Sequence, residues 1–596
     1  MKTRMSRCST KSTPEPEVLG ACKTETPRGE TLTLQLSVSA QLPQGTNCLA
    51  CSEDGMYLSL GHSRGLSVWC ASSLSCVAEW LQDTLEITNI QMCRMAEAVY
   101  LLSTVDDMGV ARVFIYHSER IHLLSVINVM ENVNKRSICL AFELSEGGLY
   151  GVASLKCSGD VWLEIYHFPT QAWLKELEKE SSNNQDQNLS GNVDLKWSPV
   201  EVSKIKPPKT PAGLTLQSPD KVLNKTDFYM HCLSLDIETE GRPFSEQSGK
   251  TNAANGSYSL TEFFYRHCTH HFLLPCGQFP GDNKTNSNRG SPVAVCVWWS
   301  GSHNLLQYSL KNKPDVEPIP DMIWPNAQEI LCSAVSTCTR FIAVGLKGAM
   351  LCVWDRQSGA PLAVVVVSAA DVFSKVQFLD DGPESADDCQ SLTAAEVSLL
   401  LVCKSGIIHR VSVGRGKQPF TVQLTERPKD NRDLITVTAS VPFLQGLLLM
   451  VQRNGKIVLQ DVTCQTNVCF LIPTASHLIT TPCSPVYTLS TKQQTLFIQG
   501  DPKPSCSSLS EGESQSQLFT FHFGDSDIVK KFIISLPDSS QLQTVSCVNL
   551  EESCNLYLEQ RALSVDERHK SVTDTWKRLQ ETALALQQEC SRSAAS

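Results

Sequence analysis

The sequence contains no apolar run long enough to cross a bilayer as a helix. Its longest, PLAVVVVSAA from Pro361, is about half of the roughly 20 residues such a span needs. It also lacks a Lys/Arg-rich block: 51 Lys+Arg stand against 62 Asp+Glu, and the formal charge of -11 is spread along 596 residues. With no basic stripe to neutralise phosphates, neither nucleic acid nor an anionic lipid surface is an expected partner. No G-x-x-x-x-G-K-[ST] phosphate loop occurs, GRGK at Gly414 lacks its spacing and its hydroxyl, and no G-x-G-x-x-G leads a strand into a helix. No cofactor and no small-molecule substrate are therefore expected. The start, MKTRMSRCSTKSTPEPE, has basic residues but no apolar core or cleavage site, and turns acidic at Glu15 and Glu17. Neither secretion nor mitochondrial import is expected from it. The Asn-x-Ser/Thr triplets at Asn188, Asn224, Asn255 and Asn283 then read as chance matches. What is abundant is cysteine, 25 residues scattered through apolar stretches such as NCLACSEDG and AVCVWW without a spaced framework. That usage fits reduced, buried thiols in a cytoplasmic protein.

Residues 57–69, YLSLGHSRGLSVW, contain a G-x-S-x-G match, the pattern in which serine hydrolases present a nucleophile. A nucleophile elbow needs a strand before the serine and a helix directly after it. Leu66, Ser67, Val68, Trp69 and Cys70 instead alternate with the period of a strand, so Ser63 is read as a turn residue. The same layout of strand, Gly turn and strand returns along the chain. NCLACSEDGMYLSLGHSRGLSVWCASS, with Gly65 and Trp69, overlies ILCSAVSTCTRFIAVGLKGAMLCVWDRQSG, with Gly348, Trp354 and Asp355. Further copies turn at Gly109, Gly159, Gly406 and Gly455, the last closing on Asp461; a weaker copy turns at Gly301, and a doubtful last one joins TLFIQG to QLFTFHF. Units of roughly 40 to 50 residues, each worth four short strands, are the mark of a β-propeller.

On EDGMYLSLGHSRGLSVW and TRFIAVGLKGAMLCVWD the chain resembles the WD-repeat family. The resemblance implies an all-β propeller of seven or eight degenerate blades over residues 31–560, following an unstructured N-terminal arm at 1–30. Only Trp354-Asp355 is a true WD pair, and the family's Gly-His pair and regular turn Asp are missing. Blades held mainly by apolar packing, not by the family's His/Ser/Asp/Trp hydrogen-bond network, are therefore expected. TLTLQLSVSA from Thr31 is the candidate strand for closing the ring. Residues 178–290, rich in Ser, Asn, Lys, Pro and Gly, read as a polar insertion. Within it, Ser259 and Glu262 have capping-box spacing before an aromatic-rich short helix. His267, Cys268, His270, His271 and Cys276 form the densest set of ligand-type residues. His267 and His271 would share one face of that helix, but a fourth ligand is lacking, so no metal is expected. Asp106-Asp107 and Asp380-Asp381 read as turn acids.

From 561 to 596 the character changes to an amphipathic helix. Val565, Val572, Trp576, Leu579 and Leu586 fall on a seam close to heptad spacing, and Ser564 with Glu567 make a capping box. The seam either folds back on the ring or docks a partner chain. No catalytic residues emerge, and the expected function is a non-enzymatic scaffold binding proteins in a larger assembly. Weak blades, a polar insertion and a closing helix together resemble WD-repeat components of the motile-cilium axoneme, which implies a place in the central apparatus. The alternatives are a trafficking or substrate-recognition adaptor and, further off, a mitochondrial electron-transport accessory or a serine hydrolase.

Overall fold

The computed structural model describes residues 32–128, 137–184, 197–198, 200–208, 267–275, 291–310, 318–367, 371–379, 396–473, 477–479, 484–502 and 516–534, together with 573, 576, 577, 581 and 584. The chain opens with β1 (Thr33–Gln35) and β2 (Val38–Gln41). Blade 1 follows as the antiparallel meander β3 (Cys48–Cys51), β4 (Tyr57–His62), β5 (Gly65–Cys70) and β6 (Ser75–Leu81). Blade 2 is β7 (Ile87–Ala96), β8 (Val99–Asp106), β9 (Ala111–His117) and β10 (Arg120–Val126). Blade 3 is β11 (Ile138–Leu144), β12 (Tyr150–Cys157), β13 (Asp160–His167), the helix α1 (Thr170–Asn184) and β14 (Glu201–Ile205). Blade 4 comprises β15 (Cys268–Leu273), β16 (Ala294–Trp299), β17 (Asn304–Ser309) and β18 (Met322–Pro325). Blade 5 comprises β19 (Ile330–Val335), β20 (Phe341–Leu346), β21 (Met350–Asp355) and β22 (Ala360–Val366). Blade 6 is β23 (Phe373–Leu379), β24 (Glu396–Cys403), β25 (Ile408–Gly414) and β26 (Phe420–Gln423). Blade 7 is β27 (Ile435–Ser440), β28 (Leu447–Gln452), β29 (Ile457–Asp461) and β30 (Thr466–Ile472). After β31 (His477–Leu478), the eighth sheet is β32 (Tyr487–Ser490), β33 (Thr495–Pro502) and β34 (Gln517–His522), completed by β2.

The ring has eight blades, and the two ends of the propeller share the last one. β2 pairs antiparallel with β34, from Val38 opposite Thr520 to Gln41 opposite Gln517. β1 lies elsewhere, parallel to β30 on the outer edge of blade 7. The segment expected to close the ring as one strand therefore divides at Leu36–Ser37 between two neighbouring sheets.

Each sheet must bury two faces, and only neighbours on both sides can cover them. The second strand of the meander is accordingly buried along its whole length in β8 and β20, and in β20 it reads as a continuous apolar run. Between every pair of successive blades lies one apolar core. Blades 1 and 2 meet through Leu66, Val68, Leu102 and Phe114; blades 4 and 5 through Trp298, Trp324 and Ile342. The circuit ends where Leu58, Leu60 and Trp69 of blade 1 meet Phe497 and Leu518 of blade 8. An additional small core seats α1 on the outside of blade 2, with Leu177 against Val99 and Ile115. Residues 178–290 thus include the end of α1, the outer strand β14 and the inner strand β15. The polar second half of α1 hid a helix that is anchored through its first half, where the buried Trp173 donates its indole N–H to the Ser198 carbonyl.

The turns between second and third strands carry the repeated glycines. In Arg453-Asn454-Gly455 only the glycine is left-handed, at φ 82°, which is the pattern of a type I turn followed by a glycine bulge. Gly65 is the most constrained of these positions. Its φ is 127°, and a Cβ there would lie 2.2 Å from the Trp80 carbonyl oxygen. Gly65→Ala is expected to cost about 3 kcal/mol, combining backbone strain with a collision that no side-chain rotation relieves. Gly159→Ala, at φ 101° but with open space, is expected to cost about 1 kcal/mol. Urea midpoints of the two variants check the difference. The inner strands have their own signature: β7, β19, β23 and β27 each carry a one-residue bulge after their first residue, and β11 carries one after its second. In three of them the bulged residue is Thr88, Ser374 or Thr436, whose hydroxyl donates to the second strand at Val105, Val402 or Val451. The hydroxyl occupies a carbonyl at the bulge that the interrupted ladder would otherwise leave short of a donor.

Candidate interaction faces

A ring of antiparallel meanders has two unlike faces. One carries the turns between second and third strands and the segments that lead into each inner strand; the other carries the remaining turns. Ser63 lies on the first face, in the two-residue turn between β4 and β5, and its hydroxyl donates to the Gln44 carbonyl at 2.9 Å. A strand, β5, follows it, so the elbow geometry is absent. Gly348 and Gly455 mark the matching turns of blades 5 and 7. Trp69, Trp354, Asp355 and Asp461 end third strands, toward the opposite face.

The polar tie of a WD blade survives in pieces. Asp355, buried, takes two bonds from Arg340 at 3.2 and 3.3 Å and one from the Gln357 amide at 3.0 Å. The Trp354 indole donates to Asn326, in the segment entering blade 5, at 3.1 Å. The Trp69 indole instead reaches only Ser67, two residues back on its own strand. Asp461 caps its turn by accepting from the Thr463 and Cys464 amides. Asp106 does the same for blade 2, accepting from the Val110 amide at 2.7 Å and pairing with Arg112 at 2.7 Å. Asp380 and Asp381 lie outside the described residues.

The histidine-rich segment is not helical from Cys268 onward. Cys268–Leu273 form the inner strand β15, whose successive side chains leave on opposite sides, so His270 and His271 point to opposite neighbours. His270 faces blade 3, with Nε2 3.3 Å from Glu143. His271 faces blade 5, its Nε2 2.7 Å from the Ser333 hydroxyl, which also accepts from the Trp298 indole at 2.8 Å. Through Glu143 on one side and Ser333 on the other, the adjacent His270 and His271 tie blade 4 to both its neighbours, and three blades are joined. Cys276 and the capping pair Ser259 and Glu262 lie outside the described residues. The Ser333–His271 contact has the form of a nucleophile and base. Desolvation, reinforced by His270, pushes His271 down to about 4, too weak a base to activate a serine near neutrality. It is a structural tie, with a pH signature. A histidine pKa depressed on folding leaves stability fully present above the unfolded value near 6.5 and lost as pH falls toward about 4. Glu143, held below its usual range by the His270 contact against the opposing effect of burial, acts in the same direction. His271→Gln is expected to flatten the loss of stability between about pH 6.5 and 4, measured by urea midpoints across that window.

A small group of exposed apolar side chains lies on the first face. Met108 and Ile138, 54% and 46% exposed, flank the hydrogen bond from the Cys139 amide to the Gly109 carbonyl, and the bulged Leu140 follows at 45%. Of the C-terminal seam, Val565, Val572, Leu579 and Leu586 lie outside the described residues. Trp576 is helical and half-buried, while Thr573, Lys577, Glu581 and Leu584 are helical and exposed. The same face carries one cluster that local sequence gave no sign of. Asp371, leading into β23, Cys403, ending β24, and His409, in β25, bring their ligand atoms within 4.8 Å of one another. Burial, with Asp371 nearby, pushes the Cys403 thiol up to about 11. Burial likewise pushes His409 down, against the pull of Asp371. Among the described residues no helix is long and apolar enough to cross a membrane.

Solved structures similar to this chain share little sequence identity with it. Sqt1 of Chaetomium thermophilum, bound to the N-terminus of the ribosomal protein L10, is 10% identical with a TM-score of 0.42, over 83% of this chain and 100% of that one. The designed Ika8 protein is 11% identical with a TM-score of 0.40, over 82% and 99%. Raptor of Chaetomium thermophilum is 10% identical with a TM-score of 0.36; the match spans 82% of this chain but only 29% of Raptor. A family model described as WD repeat-containing protein 93 matches residues 46–351, just over half of the chain. Those residues run from the entry of blade 1 through the Gly348 turn of blade 5, so the sheets and the family match agree on the repeat, and the chain belongs to the WD repeat-containing protein 93 family of eight-bladed propellers.

Proposed function

We propose that the protein is a non-catalytic scaffold in the central apparatus of the motile-cilium axoneme, holding partner proteins on its first face and through its C-terminal helix. The observation that carries the scaffold reading is a closed ring of eight blades that exposes apolar side chains, among them Met108, Ile138 and Leu140 on the first face. A rigid ring with adaptable loops suits binding better than chemistry, and the Ser63 hydroxyl is committed to a backbone carbonyl. Membership of the WD repeat-containing protein 93 family supports the scaffold. The axonemal placement rests on the resemblance of the whole arrangement to ciliary propellers. The seam of Val565, Val572, Trp576, Leu579 and Leu586 is assigned to a partner chain.

Affinity purification from ciliated tissue with mass spectrometry tests the placement, and central-apparatus proteins are the expected catch. Recovery of vesicle-coat or ligase subunits in their place, in ciliated and unciliated cells alike, would favour the adaptor. Deleting residues 562–596 is expected to abolish recovery of at least one partner while leaving the melting temperature close to that of the full chain. A large fall in melting temperature with every partner retained would return the helix to the ring's own surface.

A further inference from the structure

The WD-repeat pattern ties the segment entering a blade to the turn between its second and third strands with hydrogen bonds. In blade 6 the entering segment holds Asp371, and Cys403 and His409 stand on either side of the turn. A carboxylate, a thiol and an imidazole have their ligand atoms within 4.8 Å of one another. His409 is 6% exposed, and its Nε2 is buried without a hydrogen-bond partner, an orphan that costs about 1–3 kcal/mol if nothing binds it. Cys403 is 3% exposed and Asp371 half-buried, so the cluster opens to solvent on the carboxylate side. We propose that Asp371, Cys403 and His409 bind a divalent zinc-class cation that cross-links blade 6 in place of the missing hydrogen-bond network.

The donor set selects the metal. Magnesium and calcium take oxygen ligands, whereas one sulfur, one nitrogen and one oxygen suit zinc or cobalt. Bond lengths of about 2.0–2.3 Å place two ligands of a tetrahedral zinc about 3.5 Å apart. The three groups therefore need to close by about 1 Å, within reach of side-chain rotation. Three protein ligands leave a fourth position for water or for a donor from a docked chain, on the face where partners are assigned. Binding takes the proton from Cys403 to solvent and forms a thiolate–metal bond, with no change of oxidation state.

Cobalt titration of the full-length reduced protein tests the site, because thiolate-to-cobalt charge transfer reports sulfur ligation directly. One equivalent is expected to give that band and tetrahedral d–d absorption, both displaced by zinc. Cys403→Ser is expected to abolish the band, and His409→Gln and Asp371→Asn to weaken binding by 10-fold or more. Cys338 and Cys464 are exposed thiols, so the decisive quantity is the difference between wild type and variants. No stoichiometric binding, or a band and affinity unchanged in Cys403→Ser, overturns the proposal. Should Cys403→Ser fail to fold by circular dichroism, Asp371→Asn, altered at a half-buried position, decides in its place: unchanged cobalt affinity there overturns the site.

Discussion

Deleting residues 1–42 is expected to lower stability by about 5 kcal/mol and to make the protein self-associate. The deletion removes β2, whose four residues form the outer ladder of blade 8, together with the bonds from the Ser37 amide to Thr520 and from the Leu42 amide to Ser516. Each ladder bond contributes about 0.5–1.5 kcal/mol net, and burying Leu42, 3% exposed, about 2 kcal/mol. Against a total of about 5–15 kcal/mol for a folded domain, that is a large share. The second consequence is geometric. Without β2, β34 becomes an edge strand carrying Phe519 and Phe521, and unpaired apolar edges recruit other chains. Deleting only residues 1–36 makes the control. It removes β1 and the contacts of Leu34 and Leu36 with blade 7, whose own four strands remain, so a milder loss and a monomer are expected. Urea unfolding and size-exclusion light scattering read both effects. A monomeric 43–596 protein that melts with the full chain would show that the ring closes some other way.

Asp106→Ala is expected to cost about 3–5 kcal/mol, the largest effect of any single polar substitution among the described residues. The Asp106 and Arg112 side chains are 4% and 13% exposed, and removing one partner leaves the other buried and unpaired. Asp106 additionally holds the Val110 amide, so the turn of blade 2 loses its cap as well. The double variant Asp106→Ala with Arg112→Met should recover most of the loss, because an uncharged pair no longer carries a stranded guanidinium. What remains, about 1 kcal/mol, reports the cap alone. A double-mutant cycle on urea midpoints measures the coupling. Additive single costs would mean that the pair is solvated.

The repeat was legible because two local rules coincide in it: period-two alternation in strands and glycine at the turn, as at Gly65, Gly348 and Gly455. The copies alone gave seven or eight blades, because the last copy was doubtful; the eighth sheet is fixed by β2 pairing with β34. The division of TLTLQLSVSA was not legible, since β1 (TLQ) and β2 (VSAQ) are both short mixtures of polar and apolar residues and are assigned to different sheets only by which edges the ring leaves open. The helical reading of the segment through His271 failed for a related reason. Aromatic and histidine residues fit a helix face as well as a strand, and β15 is decided by the vacancy between blades 3 and 5. Strand β14, with the sequence EVSKI, was masked by polarity because it lies on the outside, where only Ile205 is fully buried. Asp371 stands 32 positions before Cys403, in a different strand context, and the cluster becomes visible only after the meander has folded.

The closing strand also sets the order of events during synthesis. Val38 leaves the ribosome early, and its partner Thr520 is made roughly 480 residues later. At about 5–20 residues per second, the nascent chain waits about 25–100 s with its first blade lacking one neighbour. Through that interval the apolar sides of the growing arc are open to water and to other chains. Closing the ring is thus a late event, possible only once β34 has been made, and the interval before the ends meet is when a chaperone would have most to cover.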